Sequence, residues 1–62
     1  MLLATYVYSW PEEAASGGRV CRTIMRPIMT DSIEYAIKLI IEHHEKKGQQ
    51  IIGKPEFVES LP

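Results

Sequence analysis

The 62-residue sequence holds one cysteine, Cys21, and so has no pair from which an intrachain disulfide could form. It also lacks a metal-ligand pattern. Its two histidines, His43 and His44, are neighbours; adjacent helical residues point about 100° apart, whereas helical ligands for one ion sit four positions apart. No metal or cofactor is expected. Charge of one sign is missing too. Seven basic and eight acidic residues leave a formal net charge of −1, which gives no long-range pull toward nucleic acid or an anionic bilayer and leaves only local patches to consider. No apolar run approaches the roughly 20 residues that span a bilayer, so no membrane partner is expected. The opening stretch MLLATYVYSWP has no basic lead, and Thr5, Ser9 and Pro11 interrupt its apolar residues, unlike a secretory signal. A lone thiol suits a reducing compartment, which makes the cytoplasm the expected location.

Catalytic patterns are equally scarce. Cys21 has no local motif that would pair it with a histidine base, and it reads as a buried or half-buried structural residue. Glu12 and Glu13 fall in a loop, a poor support for catalytic geometry. Gly17-Gly18 lacks the lysine and spacing of a phosphate-binding loop. The chain is expected not to be an enzyme.

What is present describes one small α+β domain over residues 1–62. Residues 2–10 are rich in aromatic and β-branched types and predict a strand, with Leu2, Ala4, Tyr6, Tyr8 and Trp10 on one face and Leu3, Thr5, Val7 and Ser9 on the other. Pro11 ends it. Residues 11–18 carry turn signals, and 19–26 predict a second strand and a hairpin. The second strand alternates Val20, Arg22, Ile24 and Arg26 against Arg19, Cys21, Thr23 and Met25, which does not say which face is core, and a bulge there would exchange the faces.

Residues 31–47 predict a helix. Asp31 with Glu34 resembles an acidic capping box, Lys46 and Lys47 close the helix, and Gly48 follows. Ile33, Ile37, Ile40, Ile41 and His44 form a stripe expected to pack on the sheet. Glu34–Lys38 and Glu42–Lys46 mark the solvent side. Residues 49–52 predict a third strand, Gly53-Lys54-Pro55 a break, and 56–61 a short C-terminal segment that would sit at an edge. The expected architecture is a two-layer α+β domain, an antiparallel sheet of three or four strands on one helix in the order β-β-α-β.

Two surfaces stand out as candidate sites. Tyr35, Leu39 and His43 form a second helical ridge away from the isoleucine stripe. It predicts a protein-interaction surface, unless the tail around Phe57 folds over it. Tyr6, Tyr8 and Trp10, beside Arg19, Arg22 and Arg26, form an aromatic and arginine pattern of the kind that binds single-stranded nucleic acid. The competing reading is that the aromatic row is the core beneath the helix. A domain of this size buries only about 60% of its unfolded surface and needs support from elsewhere, here by association with a second copy as a dimer. The functional expectation is a non-catalytic interaction module, an inhibitor or adaptor of the kind phages and mobile elements encode, that covers a surface on a larger protein. The alternative is a dimeric single-strand nucleic-acid binder.

Overall fold

The computed structural model describes residues 1–12 and 17–59. Strands β1 (Leu2–Pro11) and β2 (Arg19–Ile28) are followed by helix α1 (Ile33–Glu45) and strand β3 (Gln50–Glu59). Both β2 and β3 pair antiparallel with β1, giving the sheet order β2-β1-β3, and α1 lies over β1 and β3. The expected β-β-α-β fold is the observed one, with three strands.

The pairing of β1 with β2 runs in one register from Leu2 opposite Ile28 to Pro11 opposite Arg19. No bulge interrupts it. Pro11 is the last residue of β1 and not a break before its end, because a strand terminus tolerates a missing amide hydrogen. Of the connection expected at 11–18, residues 13–16 lie outside the described residues, and so does the end of the segment expected at 56–61.

The irregularity falls in β3. Thr5 pairs with Glu56 and Val7 with Ile52, so two steps on β1 face four on β3. The surplus is taken up at Gly53-Lys54-Pro55, where Gly53 has φ +71°, a conformation that costs glycine nothing. The expected break is therefore a bulge, and the third strand and the C-terminal segment are one strand. Because the surplus is an even number, the faces keep their alternation across it.

The helix is shorter than expected at both ends. Ser32, not Asp31, is the N-cap: its hydroxyl accepts from the Tyr35 amide at 3.3 Å. Such a cap contributes about 1 kcal/mol. Asp31 instead receives the Met1 amino group at 2.7 Å. At the other end the amides of Lys47 and Gln49 both reach the His44 carbonyl, and Gly48 turns the chain with φ +71°.

The core consists of Leu2, Ala4, Tyr6 and Tyr8 from β1, Ile28 from β2, and Ala36, Ile40 and His44 from α1. The aromatic row of β1 is thus the layer beneath the helix. On α1 the inward line is Ala36, Ile40, His44 and not the whole isoleucine stripe. Ile37 is half-buried, while Ile33 and Ile41 remain 52% and 37% exposed. Ala36 and Ile40 are fully buried and His44 nearly so, and with that line turned to the sheet Ile33, Ile37 and Ile41 fall on the flank beside β3.

Ile40→Ala is expected to destabilise by about 2–5 kcal/mol, since it empties a fully buried site, whereas Ile41→Ala on the flank should cost under about 1 kcal/mol. Chemical denaturation of the two variants measures the difference, and equal losses would mean that the stripe packs as one unit.

Candidate functional site

Because α1 is seated over β1 and β3, its two flanks meet different surroundings. On the β3 side an open groove of about 600 Å³ runs between helix and sheet. Ile33, Ile37 and Ile41 form its helical wall. Ile51, Pro55 and Phe57 form the wall on β3, and Gly53 and Lys54 of the bulge complete it. The bulge shapes the groove. It inserts extra backbone opposite Tyr6 and carries Pro55 to the rim, where β3 is an edge strand and needs no amide hydrogen from it. The lining is apolar apart from the Lys54 ammonium, and it offers no acid, base or nucleophile for chemistry at neutral pH. It can accept apolar side chains.

On the opposite flank, Leu39 and His43 line a smaller hollow of about 350 Å³ with Arg26, Pro27, Ile28 and Met29. The expected ridge Tyr35–Leu39–His43 is thus divided. Leu39 is half-buried against the core, while Tyr35 is 52% exposed and His43 is exposed. Phe57 is on the other side of the helix, in the groove, and does not cover the ridge.

Residues of the aromatic and arginine pattern are separated by the fold. Tyr6 and Tyr8 are 3% and 7% exposed. Their rings are committed to the core and cannot stack on bases. Trp10 is half-buried, with the Arg22 guanidinium 5.8 Å from its ring centroid. Arg19 lies on the other sheet face and donates to the Ser9 hydroxyl at 2.9 Å. Arg26 donates to the Tyr6 hydroxyl at 3.0 Å. Alternation already set Arg19 apart from Arg22 and Arg26, but it could not show that the tyrosines are core, because the same row of large residues serves as core or as platform depending on where the helix sits.

Two further residues differ from expectation. Cys21 is exposed, on the uncovered face of an edge strand. His44 is buried as its place on the stripe implies, but it also carries a polar network that the stripe did not predict. Its ring stands 4.4 Å from the Tyr8 centroid and 5.3 Å from that of Tyr6. Its Nδ1–H donates to Gln49 Oε1 at 2.7 Å, which leaves Nε2 to accept from the Tyr6 hydroxyl, also at 2.7 Å. Sequence pattern missed this network because the two partners are 38 residues apart.

Among the described residues, no group of three or more His, Cys, Asp or Glu side chains could hold a metal ion, and no helix is long and apolar enough to cross a membrane. No protein-family model, curated protein or solved structure matches the chain.

His43 has its pKa lowered from the usual 6.5, first by partial desolvation, then by repulsion from Arg26, Lys47, His44 and Lys46. A histidine that protonates less readily when folded supports the fold fully above its unfolded pKa. That support is lost as pH falls from about 6.5 through the lower folded value. Thermal unfolding between pH 7.5 and 5 should therefore show a small loss of stability that His43→Gln reduces. An unchanged slope in that variant would assign the loss to other groups.

Proposed function

We propose that the protein is a non-catalytic interaction module that binds a larger protein by taking an apolar helical segment into the groove between α1 and β3. The observation that carries this reading is the groove itself: Ile33 and Ile41 stay exposed on a wall continuous with Ile51, Pro55 and Phe57. Leaving Ile33 and Ile41 about half-exposed forgoes burial worth about 1 kcal/mol per side chain, which a partner would recover.

The dimensions suit a helix. From Ile33 to Ile41 the wall is eight residues long, about 12 Å, which matches two turns of a partner helix presenting anchors at i, i+3 or i+4, and i+7. Lys54 at the bulge would face an acidic residue at the partner's rim. An inhibitor or adaptor needs only this, since it acts by covering a surface. The burial of Tyr6 and Tyr8 in the core, with the two ends of the arginine set on opposite sheet faces, supports this reading over single-strand nucleic-acid binding.

Ile33→Asp with Ile41→Asp alters only exposed or half-exposed groove positions and should leave the domain folded. Peptides selected from a random displayed library on the wild-type protein are expected to be amphipathic and to bind the variant at least about thirtyfold more weakly, the loss of one or two anchors. Selected peptides that bind wild type and variant equally would refute the groove. Steeply salt-dependent binding of mixed-sequence single strands would favour the nucleic-acid alternative.

A further inference from the structure

The sheet has a second face, turned away from α1, and no element of the described chain covers it. β1 contributes Leu3, Thr5, Val7 and Ser9 to this face. The register sets Leu3 between Pro27 and Val58, Thr5 between Met25 and Glu56, and Val7 between Thr23 and Ile52. Its apolar members are Leu3, Val7, Met25, Pro27, Ile52 and Val58. Met25 is 62% exposed, Val58 65% and Ile52 45%. These are not scattered surface residues. They occupy adjacent positions on three neighbouring strands.

We infer that this face is an interface between two copies of the chain, packed sheet on sheet. Three observations select a second copy as the occupant. The first is charge. Among the described residues the face carries one acid, Glu56, and two bases: Arg19, which is drawn onto Ser9 near the end of the sheet, and Lys54, which lines a shallow hollow with Thr5, Val7, Thr23, Ile52 and Glu56. So few charges, with both signs present, let the face pack against its own copy, and two separated bases offer no basic stripe to a nucleic acid. The second is area. Three ten-residue strands, at about 3.3 Å per residue and 4.8 Å between strands, present roughly 450 Å² in projection. Side-chain relief enlarges that toward the 600 Å² or so that each partner gives to a small specific interface. The third is the edges. Pro27 on β2, and the bulge with Pro55 on β3, interrupt the two free edges and disfavour strand-to-strand association. Two such faces pack about 10 Å apart with their strands near −30°.

The interface does not depend on the groove, which lies on the other side of the sheet. A dimer of this kind leaves both grooves open and facing outward. It would bind a partner with two copies of the target segment more tightly than one with a single copy.

Sedimentation equilibrium across the micromolar range tests the inference on the full chain. The wild type should show twice the protomer mass. Met25→Lys with Ile52→Lys places charge at exposed positions that tolerate it in the monomer but would bury it in the interface. This variant should be folded by circular dichroism and monomeric, with dissociation at least about a hundredfold easier. A monomeric wild type would overturn the proposal, and so would a variant that is folded and still dimeric. A measurement on the unmodified protein backs these up should the variant not fold. Cys21 lies on the same face and is exposed, so its alkylation should slow as wild-type concentration rises through the dimerisation range. A rate independent of concentration in a dimeric sample would place the contact elsewhere. Disrupting the groove by Ile33→Asp with Ile41→Asp should leave the dimer intact, which separates failure of one reading from failure of the other.

Discussion

The hydrogen bond from the Tyr6 hydroxyl to His44 Nε2, 2.7 Å long and buried, governs the arrangement of the rest. It is the middle link of a chain that crosses the whole domain. Arg26 of β2 donates to Tyr6 of β1, Tyr6 donates to His44 of α1, and His44 donates to Gln49 at the entry to β3. These contacts link β2, β1, α1 and the residue before β3; the middle one is buried and the outer two are half-buried. Removing one partner would leave a buried polar group unsatisfied, at a cost of about 1–3 kcal/mol. Fixing His44 inward sets the rotation of the helix. With His44 over Tyr6 and Tyr8, Ala36 and Ile40 must also face the sheet, and Ile37 and Ile41 are turned toward β3. The groove is a consequence of that rotation.

The type and order of the elements were legible because their signals are local. Alternation in 2–10, a glycine-bearing turn, acids before and lysines after the helical repeat, and Gly48 each reflect backbone chemistry within a few residues. What was not legible depended on contacts distant in sequence. The capping box placed the cap at Asp31, yet Ser32 holds the position, because both residues can cap and the choice depends on where the chain leaves β2. Gly53-Lys54-Pro55 carried a sound signal of irregularity, but sequence alone could not distinguish a strand end from a bulge whose flanks both pair with β1.

The candidate site was legible only in part. The isoleucine stripe was visible as apolar and His44 was rightly placed on it, but the stripe divides between core and groove, because it is wider than the single line of Ala36, Ile40 and His44 that the sheet covers. The Tyr35–Leu39–His43 ridge was rightly separated from the stripe. It marks the opposite flank, where Leu39 helps close the core and Tyr35 remains outside. The aromatic row had two readings that differ only in which layer lies above it, and its two tyrosines lie in the buried one.

The helix divides its isoleucines, with Ile40 committed to the sheet and Ile33 and Ile41 left open on the groove wall. Methyl resonances of isoleucine-labelled protein, recorded with a soluble paramagnetic probe, report that division directly and need no partner. The Ile33 and Ile41 methyl signals should be strongly attenuated while the Ile40 methyls keep nearly full intensity. Protection of Ile33 and Ile41 equal to that of Ile40, in a sample shown to be free of bound peptide, would contradict that division.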